Sequence, residues 1–170
     1  MKKDQFEQLY EKHAGPLLGF LVYRTGNRAT AEEVLADTFE RVLRSRSRFN
    51  PNRGKVKTWI YSIALNRLRD LHRRSEAEER ALRRSEAGAP ESVADIDRFE
   101  ERSTVAAALG QLDEIEREAV SLRYGADLTV AEVAETLGVK VSTAEGRIYR
   151  GLRNLKELLE PVGDQPRQGE

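Results

Sequence analysis

The apolar positions of this chain recur at intervals of three and four, a period that predicts helices. Phe6, Leu9, Tyr10, Leu17, Leu18 and Leu21 mark the first, interrupted by Gly15-Pro16, which is expected to bend or break it. A loop follows at "TGNRAT". Thr30 with Glu33 then reads as a capping box opening a second helix, whose stripe is Ala31, Val34, Leu35, Thr38 and Val42 and whose end falls near Arg46. "SRFNPNRG" carries turn residues. After it, Val56, Trp59, Ile60, Ile63, Ala64, Leu68 and Leu71 mark a third helix, with Ser62, Asn66, Arg69 and Arg73 down its other side.

The helical period returns at Val105. Asp113 with Glu116, Thr129 with Glu132, and Ser142 with Glu145 give three further capping-box patterns. Each opens a stripe: Leu112, Ile115, Ala119 and Leu122; Val130, Val133, Ala134 and Leu137; Ala144, Ile148, Leu152, Leu155 and Leu159. Between the last two lies "LGVKVS", where Gly138 can take the left-handed conformation that closes a helix-turn-helix. The last helix would turn Arg147, Arg150, Arg153 and Lys156 to solvent, which suits a groove lined by phosphates.

Charge separates these two blocks. Residues 54–74 hold six Lys or Arg against one Asp, a local charge of +5, whereas residues 76–101 hold nine acids against four arginines, −5. The acidic run includes "EAGAPES" and reads as a linker. The expected architecture is therefore all-α: a helical domain over residues 1–75, a flexible linker over 76–103, a helix-turn-helix domain over 104–160 and a frayed tail over 161–170.

Composition narrows the function classes. The chain has 170 residues and a net charge of zero, so a nucleic-acid role must rest on local charge rather than overall basicity. It has no cysteine, and its two histidines lie 59 positions apart, so neither thiolate metal sites nor paired histidine ligands are expected. The N-terminal "MKKDQFEQLYEKH" has no apolar signal core and no run approaches a membrane span, which points to the cytoplasm. No phosphate-binding loop or catalytic triad is present, no cofactor is implied, and an enzyme is not expected.

Three stretches taken together resemble bacterial RNA polymerase sigma factors of the extracytoplasmic-function type: "RTGNRATAEEVLADTFERVL", "FNPNRGKVKTWIYSIALNRLRDLHRR" and "LGQLDEIEREAVSLRYGADLTVAEVAETLGVKVSTAEGRIYRGLRNLKELL". The likeness covers about residues 6 to 159. It implies a domain 2 that binds core RNA polymerase and the promoter's minus-ten element, and a domain 4 that binds the minus-thirty-five element. "AEEVLADTF" looks like the family's polymerase-binding helix, with Glu33, Asp37 and Arg41 as contacts, although Ala36 stands where a glutamine is usual. "RGKVKTW" looks like the loop that receives a flipped nontemplate base, and Tyr61 and Asn66 sit where the family reads the opened strand. In domain 4 the resemblance assigns Ser142, Thr143, Glu145, Arg147, Arg150 and Arg153 to upstream DNA. The chain departs there at Glu145-Gly146 and at Gly151-Leu152, where other residues are usual. An anti-sigma protein held between the domains is a further implied partner.

The residues themselves allow a plainer reading beside each of these. Ser62, Asn66, Arg69 and Arg73, with Lys55 and Lys57 ahead of them, could hold a single strand by phosphate neutralisation and base-edge bonds, or could be a solvated helix face. Trp59 lies in the apolar stripe and is expected in the core, whereas Tyr61 lies off it and is the expected stacking residue. Glu145 could cap the amide of Ser142 or accept from a cytosine amino group. Gly146 and Gly151 imply a close approach, by a partner helix or a phosphate. Glu32, Glu33, Asp37, Glu40 and Arg41 could equally be an ordinary helix surface. His72 is expected near a helix end and His13 at the surface or in packing. Two other functions fit the pattern: a stand-alone helix-turn-helix regulator, and a sigma-like decoy without DNA binding.

Overall fold

A computed structural model describes residues 3–47, 49–52, 54–84 and 104–160. All its regular elements are helical: α1 Lys3–Thr25, α2 Arg28–Ser45, α3 Val56–Arg84, α4 Thr104–Gln111, α5 Glu114–Val120, α6 Val130–Leu137 and α7 Val141–Leu159. α5 runs on into one π turn, Ser121–Gly125, closed by the Ala126 amide on the Ser121 carbonyl at 3.0 Å. The parts of the expected linker and tail over 85–103 and 161–170 lie outside the described residues.

The helix starts follow local chemistry that the sequence patterns identify only in part. α1 is unbroken through Pro16. Gly15 and Pro16 both face solvent, so the carbonyl that Pro16 leaves without a donor can be hydrated, while the opposite face buries Leu17, Phe20 and Leu21. α2 is capped by Asn27, whose side chain accepts from the Thr30 amide at 3.0 Å, so Thr30 is inside the helix and the expected box with Glu33 does not form. Asp113 caps α5 through the Ile115 amide at 2.9 Å, but Glu116 turns away to accept from Asn154 of α7 at 2.7 Å. Only Thr129 and Glu132 make the reciprocal capping box, at the start of α6. α7 begins two residues earlier than its pattern, with Lys140 at the cap position and no side-chain cap bond, so Ser142 lies within the first turn. Gly138 has φ 67° and ψ 35°, the left-handed conformation expected of the turn between α6 and α7.

α3 continues to Arg84, so the acidic segment begins as helix rather than as linker. His72 is therefore mid-helix, with Nε2 3.4 Å from Glu76.

The core is continuous across both modules. Leu17, Phe20 and Leu21 of α1 join Val34, Phe39 and Val42 of α2, Ile60, Tyr61, Ala64 and Leu65 of α3, and Leu122, Leu128, Val133, Ala134 and Ala144 from the second module. Each of the Val, Leu, Ile and Phe side chains among them contributes about 1.5–3 kcal/mol by leaving water. A smaller cluster, Leu109, Leu112 and Val120 with Leu155 against it, seats α4 on the helix-turn-helix. Gly151 is required at the α5–α7 crossing, where a Cβ would stand 2.6 Å from Val120 Cγ2 and 3.3 Å from the Glu116 carbonyl oxygen. The close approach implied by that glycine is to a partner helix. Gly146 has no such neighbour, only the Arg150 side-chain tip at 3.4 Å.

Candidate nucleic-acid interface

The polar side of α3 faces the second module. Asn66, Arg69, Asp70 and Arg73 line a cleft of about 700 Å³ whose far wall is Glu114, Glu118, Leu137, Val139 and Arg147. Asn66 is exposed, and its Oδ1 accepts from Arg69 Nη1 at 3.2 Å. Arg69 donates from Nε and Nη2 to the two oxygens of Glu118 on α5, both at 2.6 Å. Those twin bonds to a carboxylate only 4% exposed hold the guanidinium charged, raising its pKa against the opposing effect of burial. Arg73 pairs with Asp70 on its own helix, whose carboxyl this bond lowers.

The head of α3 is gripped in the same way. Lys55 Nζ lies 2.8 Å from Glu132 Oε1, which raises the Lys55 pKa and, with the Thr129 amide, holds Glu132 at about 2. Glu135 Oε1 accepts from the Lys55 backbone amide at 3.1 Å and from Thr58 Oγ1 at 2.9 Å. Lys57 Nζ donates to the Asp127 carbonyl at 3.3 Å. Beside this grip a 230 Å³ recess is lined by Phe49, Asn50, Gly54, Thr58, Trp59, Ser62 and Glu135.

Of the two aromatic expectations on α3, one fails and the other holds in part. Tyr61 is 1% exposed, its ring 5.2 Å from Phe20 in an edge-to-face contact, and burial pushes its phenol to about 12. It is core rather than a stacking surface. α3 is covered by α1 and α2 on one side and by the second module on another, so its buried arc is wider than one stripe and takes in position 61. Trp59 is half-buried, packed against the core on one side and stacked on Phe49 at the recess on the other, at 4.9 Å with 30° between planes. Thr58 falls inside "RGKVKTW", the segment expected to receive a flipped base, whereas Phe49 was not among the expected site residues and its only signal is an aromatic before the Asn-Pro turn. Ser62 lines the recess but spends its hydroxyl hydrogen on the Trp59 carbonyl at 2.7 Å.

On α7, Ser142, Thr143 and Glu145 are exposed in the first turn, and no cap bond engages Glu145. That removes the capping explanation for it. Arg153 is exposed, Arg150 sits 3.8 Å from Glu116 with half its side chain in water, and Arg147 turns toward the cleft. Tyr149, 68% exposed, lies one turn from both Glu145 and Arg153 on the same face. Its signal in the sequence is an aromatic outside the apolar stripe.

On α2, Glu33 and Asp37 both turn to Arg67 of α3, at 3.4 and 2.6 Å. Arg41 is exposed at a second opening shared with Arg44, Ser47 and Asn66. Among the described residues no group of three or more potential ligands is placed to hold a metal, and no helix is long and apolar enough to cross a membrane.

Comparison with known proteins gives this arrangement a family. Residues 9–78 match the model of sigma-70 region 2, and residues 102–155 that of sigma-70 region 4. The RNA polymerase sigma factor CarQ of Myxococcus xanthus is 34% identical over 158 residues, covering 92% of this chain and 90% of CarQ. The chain belongs to the RNA polymerase sigma factors of the extracytoplasmic-function type. The corresponding sigma factor SigK of a Mycobacterium species is 29% identical over 163 residues, covering 92% of this chain and 83% of SigK. Among solved structures, CnrH in complex with the cytosolic domain of CnrY is similar to this sigma factor with a TM-score of 0.71 and 27% identity, over 95% and 92% of the two chains. RpoE of Bartonella quintana, solved with the anti-sigma factor NepR, shares the fold at a TM-score of 0.73 over 94% and 99% of the chains, with 21% identity. In this sigma factor the region 2 match spans α1 to α3 and the region 4 match α4 to α7, so the interlocked charges lie between the two regions.

Proposed function

We propose that this sigma factor is a dissociable initiation subunit which joins core RNA polymerase through the α2 face, reads the minus-thirty-five element with α7, and traps the melted minus-ten nontemplate strand along α3. The observation that carries this is the polar stripe of α3. Asn66, which can donate and accept together, stands beside Arg69 and Arg73 on an open cleft, with Lys55 and Lys57 at the head of the same helix. Cations there neutralise phosphates while polar groups meet base edges. The recess at Phe49, Trp59 and Thr58 offers an aromatic wall and a hydroxyl to an unstacked base. α7 presents Glu145, Tyr149 and Arg153 on one exposed face to a major groove.

In this reading the chain does no chemistry, and nucleotide addition belongs to the core enzyme. It works where the bacterial polymerase works, in the cytoplasm. CnrH is solved with the cytosolic domain of CnrY and the Bartonella RpoE with the anti-sigma factor NepR, which supports an anti-sigma protein as a partner here too. Run-off transcription with purified core polymerase on a promoter library is the test. Specific start sites are expected only when the chain is added, and their absence would sink the proposal.

A further inference from the structure

We infer that Glu118, Glu132 and Glu135 of the second module act as an intramolecular stand-in for the melted strand, closing its binding face on α3 until they are displaced. This rests on the strand-trapping function proposed for α3.

The three carboxylates meet that face at separate points. Glu118 makes two 2.6 Å bonds to Arg69. Glu132 lies 2.8 Å from the Lys55 ammonium. Glu135 enters the mouth of the recess, where one oxygen takes both the Lys55 amide and the Thr58 hydroxyl. Its reach is tight, since a Cβ on Gly54 would stand 1.8 Å from that oxygen. Together the acids supply what a strand would: an anion for each of two cations, and an acceptor at the start of α3 where backbone amides point outward. A nucleic-acid strand cannot share these sites. Its phosphates would meet the carboxylates as like charges, and Glu135 blocks the recess.

The latch is built to release. Lys55 keeps 71% of its side chain in water and Arg69 38%, so both pairs are open to screening and to exchange. A polynucleotide brings many charges and releases counterions as it binds, an advantage that three carboxylates on a folded domain do not have.

The absence of cysteine allows a direct test on the full chain. Spin labels at Gln8→Cys on α1 and Glu157→Cys on α7, both exposed positions, report the separation of the modules by dipolar spectroscopy. The parent chain should give one narrow distance in low salt, replaced by a broad distribution when a single-stranded 12-mer of thymidines is added. E118Q/E132Q/E135Q should broaden at a lower oligonucleotide concentration, the shared apolar core and the Arg24–Glu114 pair still joining the modules without it, and bind the fluorescent oligonucleotide at least tenfold more tightly. E135Q alone, at an exposed position where folding is not at stake, should tighten binding a few fold. A parent distribution that is already broad, or E135Q and triple variants that broaden only at the parent's oligonucleotide concentration and keep the parent affinity, would overturn the inference. Run-off transcription reports on the proposed function alone, and the distance in the free chain on the latch alone, so the two can fail separately.

Discussion

Arg67 of α3 places its Nε 2.6 Å from Asp37 Oδ2 on α2, with its own side chain only 10% exposed. The same guanidinium reaches Glu33 at 3.4 Å, so a single cation orients two of the acids assigned to the polymerase face. Removing one partner of a fully buried pair typically costs about 3–5 kcal/mol, because the other is left as an uncompensated charge. Here Asp37 is 35% and Glu33 63% exposed, and both can rehydrate. Arg67→Met is therefore expected to destabilise the chain by only about 1–2 kcal/mol, below that range. A urea midpoint at constant slope measures it. The same variant should weaken binding to core polymerase, since Glu33 and Asp37 lose their fixed directions.

Gly151 and Gly146 occupy the same helix and should respond to alanine with opposite signs. At Gly151 the new methyl meets Val120 at 2.6 Å and backbone at 3.3 Å, and overpacking of this kind costs about 1–3 kcal/mol. The gain in helix propensity, at most about 1 kcal/mol, does not offset it. At Gly146 only a flexible arginine tip is near, at 3.4 Å, so Gly146→Ala should stabilise by about 0.5–1 kcal/mol. Equal shifts in the two urea midpoints would contradict this account.

The fold was legible where the signal is local and repetitive. Helical stripes located the elements, and Gly138 with the Thr129–Glu132 pair identified the helix-turn-helix, because each depends on residues within one turn of each other. Caps were less legible. A hydroxyl three residues before a glutamate also occurs inside helices, and at α2 an earlier residue, Asn27, reaches the free amide first. Tyr61 was misread because a stripe describes a helix packed on one side, and α3 is packed on more than one. The pairs that join the modules are separated by 49 to 90 positions, as in Arg69 with Glu118 and Arg24 with Glu114, and no periodicity records them. The sequence did expose the basic run at 54–74 that supplies Lys55 and Arg69, whereas the acids that meet them lie outside the acidic run at 76–101.

His13 makes acid stability testable. It is 8% exposed on α1, and burial first, then the Lys12 and Lys57 ammoniums, push its pKa below the ordinary 6.5. Between that lowered value and 6.5 the unfolded chain binds more protons than the folded one, so stability is full above 6.5 and falls as pH drops through the window. The thermal midpoint should decrease from pH 7.5 to 5.5, and His13→Gln should reduce that decrease. An unchanged pH dependence in the variant would assign the acid sensitivity to other groups.

Asn66 is exposed and its side chain hydrogen-bonds to Arg69, so its replacement should leave the fold intact and act on DNA alone. Asn66→Ala is expected to impair promoter opening while core binding stays at the parent level. Permanganate reactivity of thymines in the minus-ten region reads the opening directly, and co-elution with core polymerase reads the binding. Unstacking costs a few kcal/mol, so loss of even one base-edge contact should lower the open fraction measurably. Unchanged reactivity would remove Asn66 from the strand-holding set.

Arg150 and Arg153 of α7 separate a partly satisfied cation from an exposed one. Arg150 lies 3.8 Å from Glu116, so bringing a phosphate to it also brings the phosphate toward a carboxylate. Arg153 has an exposed side chain and no such acid partner among the described residues. Each cation that neutralises a phosphate steepens the logarithmic salt dependence of binding by about one unit. Arg153→Ala should therefore lower the salt slope of holoenzyme binding to a duplex upstream element by about 1, and Arg150→Ala by less. Both should weaken binding about equally across sequences, because a phosphate contact carries no base information. A variant that alters base preference at one position while keeping the parent slope would show that its arginine reads a base edge and leaves the backbone to its neighbours.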